Sequence, residues 1–130
     1  EFFQKAVDLN PEVGISYGYL GAAKIEGGDL SGADDLKKAM MKGYYPREED
    51  FGRLINAYIK TNDFAHIAWV YERMIEINPK NPQYYASLAA AYANLGRIDD
   101  AAAMARKAVQ VDPSFEPDAR AFLKKIGREL

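Results

Sequence analysis

In the segment PQYYASLAAAYANLG, residues 82–96, Tyr85, Leu88, Ala89 and Tyr92 stand at i, i+3, i+4 and i+7. That spacing puts them on one stripe of an α-helix. Gly96 follows, suited to the left-handed residue that closes a helix, and RIDDAAAMARKAVQVDP then resumes the stripe with Ile98, Ala101, Ala105 and Ala108. The pattern predicts two antiparallel helices. The boundary before them is written in INPKNPQYY, residues 77–85, where two Asn-Pro pairs fall close together. Proline cannot continue a helix, because it lacks the N–H and its ring clashes with the preceding turn, yet it is favoured at the first helical position with Asn before it as cap. Pro79 is therefore expected to end one unit, and Pro82, preceded by Asn81, to begin the next.

These junctions recur. Pro113 lies 34 residues after Pro79, and Pro11 lies 68 before it, twice that spacing. Leu20, Leu54 and Leu88 share the period of 34, as do Tyr17, Phe51 and Tyr85, and also Tyr58 and Tyr92. A fixed period between about 20 and 50 residues marks a stacked solenoid, whose single units are too small to bury their own apolar faces.

The residues resemble the tetratricopeptide repeat family, whose 34-residue pattern runs aromatic, Leu, small, aromatic, then Ala, aromatic, small and Pro. The unit 82–115 supplies Tyr85, Leu88, Ala89, Tyr92, Ala101, Ala105, Ala108 and Pro113, departing only at Ala105, where an aromatic is usual. The unit 48–81 supplies Phe51, Leu54, Ile55, Tyr58, Ile67, Tyr71, Met74 and Pro79. The unit 14–47 supplies Tyr17, Leu20, Gly21, Lys24, Ala33, Lys37 and Met40, with Pro46 one place late. Residues 1–13 look like the second helix of a preceding unit, through Phe3, Ala6 and Pro11, and residues 116–130 like a capping helix. The resemblance implies an all-α fold, a right-handed superhelix of antiparallel helix pairs forming a single domain over residues 1–130. Small residues at the eighth and twentieth places let paired helices approach closely. Gly21 with Ala33 and Ala89 with Ala101 thus imply tight pairs, whereas Ile55 and Ile67 imply a splayed or shifted one.

In the family, first helices line a concave groove, and the resemblance carries its exposed places onto named residues here. They are Ile15, Gly18, Tyr19, Ala22, Ile25 and Glu26 in the first unit; Glu49, Gly52, Arg53, Asn56, Ile59 and Lys60 in the second; and Gln83, Ala86, Ser87, Ala90, Ala93 and Asn94 in the third. Arg120 and Lys124 extend the row onto the cap. The groove is expected to be shallow and mixed, with Arg53, Asn56 and Lys60 able to hydrogen-bond a peptide backbone or carboxylate. Family members that clamp a C-terminal carboxylate use Lys, Asn and Arg at places that here hold Gly52 with Asn56, Ser87, and Pro117 with Ala121. The asparagine ladder of the sugar-transferase relatives is replaced by Tyr19, Arg53, Ser87 and Ala121. Neither of those two binding modes is supported.

Composition narrows the function further. A net charge of -2 with 28% charged residues of both signs gives no electrostatic reason to expect nucleic acid or an anionic membrane. The apolar runs are far short of the ~20 residues of a spanning helix, and the absence of cysteine removes disulfides and thiolate metal sites. One histidine, His66, with no phosphate loop and no H-E-x-x-H set leaves no recognisable catalytic or metal-binding constellation, so the expectation is a non-enzyme without cofactor or metal. The glycines of GISYGYLG, residues 14–21, sit inside a predicted helix and read as packing positions. The carboxylates of Glu48, Glu49 and Asp50 and of Asp99 and Asp100 lie at helix starts, where negative charge suits the dipole.

The expected function is a protein-interaction scaffold that holds a peptide or helix of a partner. The alternative is a structural spacer or self-assembly tail; in this light the segment MMKGYYPREEDF resembles the tails of bacterial membrane proteins similar to O-antigen ligases. A third reading is an accessory domain that positions substrate for an enzyme. The chain starts without Met inside an amphipathic helix and ends in FLKKIGREL, which is expected of a C-terminal piece of a larger protein. Phe2 and Phe3, on a helix without its pair, are candidates for a homodimer contact, and Trp69 is a candidate contact on the outer face.

Overall fold

The structure is a computed structural model that describes residues 14–43 and 46–130. The readings placed on residues 1–13 and on Tyr44 and Tyr45 lie outside these. The described elements are helical: α1 (Gly14–Glu26), α2 (Gly32–Met41), α3 (Glu48–Lys60), α4 (Phe64–Ile77), α5 (Pro82–Asn94), α6 (Ile98–Val111), a 3-10 turn (Pro113–Phe115) and α7 (Glu116–Lys125). The all-α architecture of repeated helix pairs read from the 34-residue period is the one the chain adopts. Leu20, Leu54 and Leu88 are all buried, as are Tyr17, Phe51 and Tyr85. The contacts gather into two compact units, Glu1–Ala57 and Tyr58–Leu130, with the division inside α3.

Helix ends follow from local chemistry. The Asn81 side chain accepts the Gln83 N–H at 3.0 Å while Pro82 opens α5, and the Tyr85 hydroxyl donates to the Pro79 carbonyl at 2.8 Å. The double Asn-Pro thus ends α4 and caps α5, as its sequence implies. Asp63 and Asp112 cap in the same way, accepting from the backbone N–H of His66 and of Ser114. At the turn inside each helix pair one residue is left-handed: Gly28 at φ 85, Asn62 at φ 54 and Gly96 at φ 78. After each, the next N–H returns to the carbonyl five residues back, Asp29 to Lys24, Asp63 to Tyr58 and Arg97 to Tyr92, at 2.7, 2.9 and 2.9 Å.

In the first unit α1 packs on α2 with Tyr17, Leu20 and Ala39 in the core. The helices cross where Gly21 meets Gly32. A Cβ on Gly21 would lie 2.7 Å from the Gly32 carbonyl oxygen, and a Cβ on Gly32 would lie 2.5 Å from that of Gly21. The tight pairing expected from Gly21 is present, with Gly32 as its counterpart. Lys24 stands where the later repeats have Tyr58 and Tyr92, and its ammonium meets the nearly buried carboxylate of Asp35 on α2 at 2.8 Å. The hydrogen bond to Asp35 holds the Lys24 pKa above its ordinary value.

In the second unit α5 packs against α4 and α6, and α6 against α7. Ala89, Ala102, Ala105 and Leu123 form its core cluster, with Met104, Phe122 and Ile126 against it. The Tyr92 hydroxyl donates to Glu72 of α4. The guanidinium of Arg97 lies 4.1 Å from the Tyr92 ring centroid and is itself held by Asp100 at 3.0 Å. Burial, and then the bond to Glu72, push the Tyr92 phenol up to about 12.

Candidate functional site

The residues assigned to a binding row do not all reach a surface. In the first unit Tyr19 is half exposed, but Ala22 and Ile25, expected to be exposed, are buried. The cause is Lys24. A lysine cannot fill the core place that a tyrosine takes, so Ile25 turns inward against the start of α2, where its Cγ1 lies 3.0 Å from a Cβ placed on Gly32. The side chain of Ile15 lies outside the described ones.

Arg53 is exposed yet not idle. Its guanidinium bonds Glu26 at 3.2 Å and Asp50 at 3.3 Å. Asp50 is fully buried and also accepts from Arg47 at 3.1 and 3.2 Å, while Arg47 approaches Glu26 and Glu49 at 3.9 and 3.8 Å. Two arginines and three carboxylates therefore form one network, centred on a carboxylate that water does not reach. Asp50 was legible as a charge at a helix start, but its role as the buried centre was not. The arginines that hold it stand three residues away on either side, which is the available signal. Asn56 is exposed one turn after Arg53.

In the second unit Lys60 and Ile59 are exposed near the end of α3. Along α5, Gln83, Ala90 and Asn94 are exposed and Ala86, Ser87 and Ala93 half-buried, one continuous row. Gln83 donates to the Ser87 hydroxyl at 3.2 Å and Asn94 to the Ala90 carbonyl at 2.9 Å, which orients both amides along the helix. On α7 Arg120 pairs with Glu116 at 2.9 Å, whereas Lys124 has no ion pair among the described residues. Trp69 is half-buried, with Arg73 5.8 Å from its ring centroid. His66 stacks on Tyr58 at 4.8 Å, its Nδ1 2.6 Å from Asp63, so its surroundings are those of a helix cap.

An apolar cleft of about 180 Å³ lies between α5, α6 and α7. Its walls are Ala86, Ala89, Ala105, Ala108 and Ala119, closed by Phe115 and Phe122, with Asp118 as its charged member. Ala86 belongs both to this cleft and to the row on α5. Among the described residues no helix is long and apolar enough to cross a membrane, and no group of three or more His, Cys, Asp or Glu side chains is placed to hold a metal ion.

Known proteins are similar to this chain in sequence and in fold. A family described as tetratricopeptide repeat matches residues 70–103, from the body of α4 into the start of α6. Small glutamine-rich tetratricopeptide repeat-containing protein 2 of Mycosarcoma maydis is 33% identical over 87 residues, which is 67% of this chain and 20% of that protein. DnaJ homolog subfamily C member 7 of Homo sapiens is 36% identical over 67 residues, 52% of this chain and 14% of that protein. The chain thus spans a fifth or less of the length of these curated relatives. The crystal structure of MamA superposes with a TM-score of 0.54 at 18% identity, over 95% of this chain and 82% of that one, a likeness of fold.

Proposed function

The chain belongs to the tetratricopeptide repeat family, and from that premise we propose that it is a protein-interaction scaffold that receives a peptide segment of a partner along the row of α5. The observation that carries this reading is the composition of that row. Ala86, Ala90 and Ala93 make a low floor without side-chain obstruction, and Gln83, Ser87 and Asn94 border it with amide and hydroxyl groups. Such a surface lets a peptide backbone come close and find hydrogen-bond partners, with little side-chain entropy lost on the receiving side. Lys60 and Lys124 are exposed cations in the same unit. Taken by itself, the first unit also presents Arg53 and Asn56 at its surface, where Arg53 can exchange Glu26 for another acidic group while Asp50 keeps its guanidinium in place.

A pull-down with this chain as bait, using Ala90→Arg as the variant of the row, tests the reading. Capture of the partner is expected to fall at least about tenfold, because the new side chain covers the alanine floor, while circular dichroism stays that of the parent. Undiminished capture by Ala90→Arg together with loss on Trp69→Ala would move the binding surface to the Trp69 face and end the reading.

A further inference from the structure

We propose that the cleft between α5, α6 and α7 is an anchor pocket for an aromatic side chain of the bound peptide, and that the residue beside that aromatic is Lys or Arg. This inference rests on the reading of α5 as the peptide row, because Ala86 belongs to both.

The repeat makes two seams of the second unit equivalent. Where α4 meets α5, Tyr71 and Tyr84 fill the space, their ring centroids 6.4 Å apart. Their counterparts 34 residues on, where α6 meets α7, are Ala105 and Asp118. Two aromatic rings are thus replaced by a methyl and a carboxylate, and the space they leave is the cleft of about 180 Å³. Phe115 and Phe122 close its side without filling it. An apolar cavity of about 150 Å³ takes a benzene molecule, so a phenyl or phenol ring fits, and its walls give water few polar partners. The sibling seam shows which occupant the geometry suits: an aromatic ring.

Charge complementarity fixes the neighbour. Asp118 is exposed and has no hydrogen bond or ion pair among the described residues. Its position in the first turn of α7 suits the helix dipole, but Glu116 occupies that same turn and is already matched by Arg120. A cation beside the anchoring ring gives Asp118 the partner that the chain itself does not provide, and an acidic neighbour is disfavoured.

The test uses the full chain with its alanine methyl groups labelled for NMR, titrated with N-acetyl-Phe-Lys-amide, N-acetyl-Phe-Glu-amide and N-acetyl-Ser-Lys-amide. The Phe-Lys probe is expected to shift the methyls of Ala86, Ala89, Ala105 and Ala108 saturably, Phe-Glu to bind about threefold more weakly, and Ser-Lys to leave them unmoved. Ala105→Tyr, which restores the usual aromatic, is expected to raise the melting temperature and weaken Phe-Lys binding at least about tenfold by filling the pocket. Asp118→Asn, a surface change that leaves the core untouched, is expected to keep Phe binding and lose the preference for Lys over Glu. Absent or scattered shifts, equal binding by Ala105→Tyr, or an undiminished Lys preference in Asp118→Asn would each overturn the proposal. A chain that captures its partner through Ala90 yet ignores all three probes would end the anchor pocket and leave the peptide row standing.

Discussion

Where the helices of the first pair cross, Gly21 and Gly32 bring backbone against backbone; in the third pair Ala89, the counterpart of Gly21, meets α6 through side chains, in a cluster with Ala102 and Ala105. Three residues further along α1 and α5 the contrast continues. The first pair has Lys24, matched by Asp35 at 2.8 Å, and the third has Tyr92, whose hydroxyl reaches Glu72. In both, the repeat ends this core position in a polar head that needs a carboxylate. What differs is the body beneath the head. Tyrosine fills its own volume, so the neighbouring Ala93 is left half exposed, whereas lysine does not, and Ile25 turns in to supply the missing apolar volume. A repeat plan therefore fixes helix pairing more firmly than it fixes which residues face outward.

The sharpest way to break this comparison is to add a methyl group at one crossing and remove one at the other. Gly32→Ala sets a methyl 2.5 Å from a backbone oxygen that cannot rotate away, and the cost is expected to be about 3 kcal/mol in urea unfolding. Ala89→Gly, in the third pair, opens space instead and is expected to cost about 1 kcal/mol through backbone entropy. Similar losses for the two would show that the glycine crossing is not under contact pressure.

Next in size is the polar head. Lys24→Ala leaves the carboxylate of Asp35, at 8% exposure, without its cation, and since Lys24 is itself partly solvated the loss is expected near 2 kcal/mol. Replacing both, Lys24→Met with Asp35→Leu, is expected to recover most of that stability by substituting apolar contact for the ion pair. A double variant as unstable as the single one would mean that the pair contributes more than the neutralisation of Asp35.

Alkaline titration distinguishes the two heads without altering size. The folded Tyr92 phenol titrates at about 12 and an ordinary one at 10.0. Between those values the unfolded chain gives up a proton that the folded chain keeps. Stability from this group is therefore complete below pH 10 and is lost as pH rises toward 12, by about 2 kcal/mol. Lys24, also raised, adds a loss of the same sign above its ordinary 10.5. Stability curves of Tyr92→Phe and of Lys24→Met, measured from pH 8 upward, should each remove one part of the decline. An unchanged slope in Tyr92→Phe would show that its hydroxyl is not protected by the fold.

Much of the architecture was legible because it depends on spacing. Leu20, Leu54 and Leu88 are equivalent in burial as they are in sequence, and the two Asn-Pro pairs work as a stop and a start. Exposure along α5 follows the places the pattern assigns, and it follows them less on α1, where Lys24 stands in place of a core aromatic and Ile25 turns inward. Arg53 could be placed on a surface but not freed or paired, since Glu26 reaches it from another helix. The cleft had a visible signal, the missing aromatic at Ala105, but its size depends on Asp118 lying across the seam, a counterpart the period supplies only once the cap is aligned as a further first helix.

The smallest effect concerns the left-handed turn, which repeats at Gly28, Asn62 and Gly96 and so adds a further marker to the 34-residue period. Gly96 alone stood out in the sequence, because Asn62 conceals the pattern in the middle unit. A side chain in this conformation is strained, least so for Asn, and Gly removes the penalty. Asn62→Gly is accordingly expected to stabilise the chain by a few tenths of a kcal/mol, and Gly96→Ala to destabilise it by about 1 kcal/mol, in thermal unfolding followed by circular dichroism. The two substitutions test one geometry from opposite directions. If Asn62→Gly instead lowers stability, the Asn62 side chain contributes something in the middle turn that the glycines at residues 28 and 96 do without, and the three turns are not equivalent.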